Sequence, residues 1–144
     1  MPFIATWPGV IPAGAVSDDL ASLGDLMATC AEIVGAPLPE GASEDGASML
    51  AQLRGESGSR TSLVLHGGDG RFALREGDWM YIDAPSGAAW PEPEWFRAER
   101  GYEPHDHPGE LYDLGTDPAE RVNLYAERTD IVERMRATLL ALTE

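Results

Sequence analysis

Ser62-Leu63-Val64-Leu65-His66-Gly67-Gly68-Asp69-Gly70-Arg71-Phe72-Ala73-Leu74-Arg75-Glu76-Gly77-Asp78-Trp79-Met80-Tyr81-Ile82 decides the fold. Ser62–His66 is a short apolar run of strand length, and Arg71-Phe72-Ala73-Leu74-Arg75 alternates polar and apolar residues, the period of a half-buried strand. Gly67-Gly68-Asp69-Gly70 between them is a hairpin turn, because glycine accepts the positive φ values that tight hairpins need. Glu76-Gly77-Asp78 is a second tight turn, and Trp79-Met80-Tyr81-Ile82 a third strand. Three strands joined by two short turns form an antiparallel meander.

Working outward, Glu110-Leu111-Tyr112-Asp113-Leu114 reads as a fourth strand, and Asp117-Pro118 turns the chain. A terminal helix is expected from about Asp130, with Val132, Met135, Leu139 and Leu142 on one face. Residues 84–109 carry Pro85, Pro91, Pro93, Pro104 and Pro108 and read mostly as loop. Residues 61–144 are therefore expected to form a small unit of antiparallel sheet with a terminal helix.

Residues 1–60 follow a different pattern. Met1, Phe3, Ile4, Ala5 and Trp7 read as a buried strand that Pro8-Gly9 ends. Leu23, Leu26, Met27, Cys30, Ile33 and Val34 recur at helical spacing and predict a helix with one apolar stripe. Ser22 followed by Asp25 resembles a capping box. Gly35 is the expected C-cap, and Pro37 blocks continuation. Residues 36–48 read as an exposed loop. Ser48 is placed to cap a short helix through Met49, Leu50 and Leu53, and the polar stretch Glu56–Arg60 is the candidate boundary. The fold class is thus α/β passing into α+β: a strand and helix, then a meander with its helix.

Composition narrows the partners. The 144 residues include 25 Asp and Glu against 10 Lys and Arg, for a formal net charge of −15, and every basic residue is Arg. Such a chain repels phosphate backbones and anionic membrane surfaces. Its hydrophobic fraction of 43% supports a folded state. The single cysteine, Cys30, excludes an intrachain disulfide and a cysteine metal cluster. Met1-Pro2-Phe3-Ile4 does not read as a signal peptide, so a cytoplasmic chain is the default expectation.

The motifs fall in a familiar order. Pro2-Phe3-Ile4-Ala5-Thr6-Trp7-Pro8-Gly9 resembles the P-F-I-x-x-W-P-G strand of sulfatases. Ser22-Leu23-Gly24-Asp25-Leu26-Met27-Ala28-Thr29 is similar to their S-L-T-D-L-x-x-T helix. Pro37-Leu38-Pro39 and Asp45-Gly46-Ala47-Ser48-Met49-Leu50 resemble P-L-P and D-G-x-S-L-L. Phe72-Ala73-Leu74-Arg75-Glu76-Gly77-Asp78-Trp79 is similar to the F-A-x-R-x-G-x-W hairpin. Glu110-Leu111-Tyr112-Asp113-Leu114, Asp117-Pro118-Ala119-Glu120 and Asn123-Leu124 resemble the closing E-L-Y-D-L, D-P-x-E and N-L. The chain therefore resembles the C-terminal segment of a sulfatase of the arylsulfatase type, in the alkaline-phosphatase-like superfamily. Three positions depart from the pattern: Gly24 replaces Thr, Met80 replaces Lys, and Met1 stands where Val is frequent. Val and an alternative start share the GTG triplet, so Met1 is expected to be an internal codon read as a start.

The resemblance implies one late strand and helix of the sulfatase sandwich over residues 1–60, and the C-terminal sub-domain over residues 61–144. It also implies that the parent hydrolyses sulfate esters with a formylglycine, made from Cys or Ser in a C/S-x-P-x-R motif, and a Ca²⁺ held by oxygen ligands. That chemistry lies outside the matched region. Cys30 is followed by Ala31-Glu32-Ile33, no serine fits the motif, no Asp-Asn pair offers itself to the metal, and the chain has no Lys. No catalytic residue is assigned.

The remaining candidates are few. His66, with Arg71 nearby, is the candidate for contact with an anionic substrate; the plainer alternative is a strand-end histidine. His105, His107 and Glu110 form the one metal-like cluster, against the alternative of a solvated loop. Trp90, Trp95, Phe96 and Tyr102 could line a sugar or aryl site, although such aromatics more often anchor a loop to the core. Cys30, on the apolar stripe, reads as a small buried hydrophobe. The leading expectation is a structural part of a sulfatase whose partner is the remainder of that chain. Behind it stand a free-standing module that self-associates through its N-terminal strand, and a metal-dependent hydrolase built on His105, His107 and Glu110.

Overall fold

The computed structural model describes residues 3–68, 70–85, 93–101 and 105–143. Two compact units divide the chain, Met1–Thr61 and Ser62–Glu144.

In the second unit, strands β1 (Ser62–His66), β2 (Phe72–Glu76), β3 (Trp79–Ile82) and β4 (Glu110–Asp113) form an antiparallel sheet in sequence order. The register places Val64 opposite Leu74, Leu74 opposite Tyr81, and Tyr81 opposite Leu111, so one apolar row crosses all four strands on one face. The terminal helix, here α4 (Thr129–Thr143), covers that row with Ile131, Val132, Met135 and Leu139. Asp130 in its first turn suits the positive end of the helix dipole. Leu142 was expected on this face, but it is 54% exposed where Leu139 is 3% exposed. It lies beyond the last turn that reaches the sheet row.

The β1–β2 turn closes with the Gly67 N–H donating to the Arg71 carbonyl at 2.7 Å. Gly70 holds φ +83, a conformation that favours glycine. The expected 84–109 loop contains a helix, α3 (Glu94–Arg100), closed by Gly101 at φ +67. Pro93 just before it was read as a breaker, but proline is equally at home at a helix start.

In the first unit, α1 (Asp25–Val34) and α2 (Leu50–Leu53) are the helices. Gly35 caps α1 in the left-handed region, with Gly35 N–H on the Glu32 carbonyl and Ala36 N–H on the Ala31 carbonyl. Ser48 Oγ accepts from the Leu50 N–H at 3.2 Å, but Met49 rather than Ser48 holds the N-cap position of α2, which has no side-chain cap.

Two further expectations fail in this unit. Residues 3–7 form no strand and are exposed, with Ile4 93% accessible. A strand interior needs ladder partners on its backbone, and the first unit contains no strand among its described residues. The strand half of the expected strand-plus-helix is therefore corrected. The burial of α1 is also the reverse of the expectation. Leu23, Leu26, Met27, Ile33 and Val34 are exposed, and so is Cys30, while Asp25 and Thr29 are buried. The polar pair can be buried because each member has hydrogen-bond partners. The apolar stripe finds no second apolar layer within the unit.

Candidate functional site

The most organised polar centre is built on Asp25, which is 1% exposed. One carboxylate oxygen, Oδ2, accepts from the Ser22 N–H at 2.7 Å, so Ser22 and Asp25 do meet, but Gly24 rather than Ser22 is the N-cap of α1 and no side chain caps it. The other, Oδ1, accepts from the Ala47 N–H at 2.9 Å. Arg60 donates from Nε to Oδ2 at 3.3 Å and from Nη2 to Oδ1, a fork on a carboxylate. Its Nη2 also donates to the Asp45 carbonyl at 2.7 Å.

Four residues on, Thr29 Oγ1 donates to the Asp25 carbonyl at 2.6 Å and accepts from the Met49 N–H at 3.0 Å. Gly46 is required within this loop: a Cβ there would sit 1.9 Å from Ser43 Oγ and 3.0 Å from the Gly24 carbonyl. The Ser22, Asp25, Thr29 and Asp45–Met49 motifs are thus parts of one lock that fastens the loop to α1. Burial alone would raise the Asp25 pKa; Arg60 and the Ala47 and Ser22 N–H groups outweigh it and hold it below the usual carboxylate value.

In the second unit His105, Glu110 and Asn123 come together. Asn123 Oδ1 accepts from the Leu111 and Tyr125 N–H groups, both at 3.0 Å, which fixes the amide's orientation. Its Nδ2 donates to the Gly109 carbonyl at 3.3 Å and lies 2.7 Å from His105 Nε2. Glu110 Oε1 lies 3.6 Å from the same Nε2, and its Oε2 accepts from the Tyr112 hydroxyl at 2.6 Å. The His107 ring stacks between His105 and Tyr125, with centroids 5.3 and 5.9 Å away.

This arrangement does not suit a metal. Both ring nitrogens of His105 already have polar neighbours, Asn123 Nδ2 at 2.7 Å from Nε2 and the His107 N–H at 3.2 Å from Nδ1, and the His107 ring is stacked between His105 and Tyr125. Among the described residues no group of three or more His, Cys, Asp and Glu could hold a metal ion. The formylglycine and Ca²⁺ implied by the resemblance find no fit here either: Cys30 lacks the Pro and Arg that follow in the motif, and no oxygen cage forms among the described residues.

His66 and Arg71 flank the β1–β2 turn. His66 is exposed and stacks on Phe72, its partner across the hairpin, at 4.5 Å. Trp95 and Phe96 lie on α3 in an edge-to-face pair, with Trp95 67% exposed. Trp95 is therefore not an anchor in the core. Trp90 and Tyr102 lie outside the described residues. A groove of about 690 Å³ in the first unit is lined by Phe3, Ile11, Val16, Met49 and Leu53. Asp18, Asp19 and Glu56 also line it, and those carboxylates make it a poor receptor for a sulfate ester.

The sequence names His105 and Glu110 of one hub and Ser22 and Asp25 of the other, but gives no role to Asn123, Thr29 or Arg60. Asp25 and Thr29 sit at i and i+4 along one edge of the apolar stripe of α1, which is the signal that a polar interface exists there. Arg60, 35 residues away from Asp25, gives no local signal.

No protein-family model matches the chain. It is 32% identical over 140 residues to an N-acetylgalactosamine-6-O-sulfatase of Bacteroides thetaiotaomicron, a match covering 96% of this chain and 26% of the relative. It is 36% identical over 132 residues to human arylsulfatase A, covering 85% and 25%. Over nearly its whole length the chain is similar to sulfatases. A sulfatase structure from a study of glycosaminoglycan metabolism by Bacteroides thetaiotaomicron superposes with a TM-score of 0.64 at 29% identity, over 82% of this chain and 24% of that one. A 2-O GAG sulfatase shares the fold, with a TM-score of 0.55 at 22% identity over 82% and 23%. The chain thus spans about a quarter of the length of the sulfatases it matches. The Asp25 lock is assembled from motifs that resemble those of sulfatases, which gives them a physical role in holding this segment together.

Proposed function

We propose that the chain serves as the C-terminal portion of a sulfatase, a sulfuric ester hydrolase, with a structural role and without catalytic power of its own. The carrying observation is one of extent. Similarity to sulfatases runs through 96% of the chain yet spans 26% of a relative, while the formylglycine motif is absent from the sequence. The C-terminal placement rests on the order of the motifs, which ends in Glu110–Leu114, Asp117-Pro118 and Asn123-Leu124. Formylglycine and Ca²⁺ belong to the remainder of such an enzyme. His66 and Arg71, at the β1–β2 turn, are the residues of this segment proposed to approach an anionic ester in the complete protein.

The test is hydrolysis of p-nitrophenyl sulfate by the 144-residue chain in the presence of Ca²⁺. No turnover above the buffer rate is expected, and metal-dependent turnover removed by Glu110→Gln would overturn the reading in favour of a hydrolase.

A second reading has one observation in its favour. Phe3, Ile4 and Trp7 are exposed, which suits an N-terminal segment that adds as a strand to another chain. A mass that rises with concentration, and falls back on Ile4→Asp, would favour that free-standing module.

A further inference from the structure

Helix α1 is inside out for a surface helix. Its polar side, Asp25 and Thr29, is already consumed by the lock with Ala47, Met49 and Arg60. Its remaining face carries Leu26, Met27, Cys30, Ile33 and Val34, with Leu23 just before the helix, all exposed, from 38% at Leu26 to 74% at Val34. No charged residue interrupts this stripe. A stripe of six apolar side chains in one line is far from the scattered exposed hydrophobes of an ordinary surface. Because the lock fixes the polar side inward, the helix cannot roll to hide the stripe without breaking a buried ion pair.

We infer that the outward stripe of α1 is an interaction surface, and that its occupant is the part of a sulfatase that this chain does not span. The inference rests on the proposed function and names the partner of that segment. Three occupants are available to an apolar stripe, and charge separates them. A membrane surface is anionic, and a net charge of −15 opposes it. A second copy would bring another −15 against the first. The unmatched part of a sulfatase is about three-quarters of the relatives' length, since the chain spans 26% of one and 25% of another. It is large enough to supply the apolar layer that the first unit lacks.

Cys30 sits within the stripe and is the chain's only thiol, so it reports directly on cover. The test grafts the whole chain in place of the matched segment of the Bacteroides thetaiotaomicron N-acetylgalactosamine-6-O-sulfatase and follows Cys30 with a thiol reagent. A Cys30→Ser graft supplies the background. In the isolated chain Cys30 is expected to react freely at every protein concentration. In the graft its reaction is expected to slow by about 100-fold or more, since it would then need local opening.

A folded graft with Cys30 as reactive as before overturns the inference. Slow reaction in the isolated chain overturns it too: relief on dilution names a second copy as occupant, and no relief means that the chain covers its own stripe. A second graft carrying residues 62–144 alone separates the two claims. If it folds and the full graft does not, the stripe fails to match a sulfatase while the family reading stands. If neither folds, the proposed function falls and the inference falls with it.

Discussion

Arg60 closes its guanidinium on both carboxylate oxygens of Asp25, a residue 35 positions earlier at the start of α1. The side chains are 13% and 2% exposed, so the pair is shielded from the water that makes most surface ion pairs weak. Removing one partner leaves the other charge buried. Arg60→Ala is expected to destabilise the first unit by about 3 kcal/mol. Asp25→Asn should lose most of the same free energy, and the double variant less than the sum of the two. Urea unfolding followed by circular dichroism measures all three, and additivity would show that the two residues do not act together.

The same pair sets an acid limit. The Asp25 pKa is lower in the folded chain than the ordinary carboxylate value, despite burial, because Arg60 and two N–H groups stabilise the charged form. A depressed folded pKa contributes stability that is fully present above the unfolded value of about 4 and is lost as pH falls through the lower folded value. Helical signal from the first unit should therefore weaken below about pH 4, and Asp25→Asn should flatten that part of the profile. A pH titration of ellipticity at fixed ionic strength checks it.

Leu139 and Leu142 lie one turn apart on α4 and differ in burial, 3% against 54% exposed. Leu139→Ala removes packing against the sheet row and is expected to cost about 2–5 kcal/mol. Leu142→Ala should stay within about 0.5 kcal/mol of the parent. Thermal melts of the two variants decide between them, and equal losses would contradict the described packing of α4.

Asn123 satisfies the backbone N–H groups of Leu111 and Tyr125 with one oxygen. Asn123→Ala strands both donors, each at about 1–3 kcal/mol, and removes the amide beside His105 Nε2. Faster hydrogen exchange at Leu111 and Tyr125 than elsewhere in β4 is the expected signature. Unchanged exchange at both would remove Asn123 from the centre of this cluster.

The second unit was legible because its signals are local. Alternation in Phe72–Glu76, the glycine turn at Gly67–Gly70 and the stripe through Val132, Met135 and Leu139 each lie within a few residues. Period alone could also find α1 and its Gly35 cap. It could not say which side of α1 is buried, because that depends on Arg60 and Ala47, which are distant in sequence, and on an apolar layer that the first unit does not contain. Residues 3–7 misled for a related reason: an apolar run signals a strand only where neighbouring strands exist to bond it. The His105, His107 and Glu110 spacing suggested a metal, and no local signal pointed to Asn123, 18 residues from His105, whose Nδ2 lies 2.7 Å from His105 Nε2.

The central claim is that this chain is one part of a longer sulfatase, and the DNA immediately upstream of the Met1 codon tests it most directly. An open frame running into Met1 and encoding a C/S-x-P-x-R motif is the predicted result, with GTG at the Met1 codon. A stop codon close upstream, preceded by no such motif and followed by a ribosome-binding site, would contradict the account and leave a free-standing module.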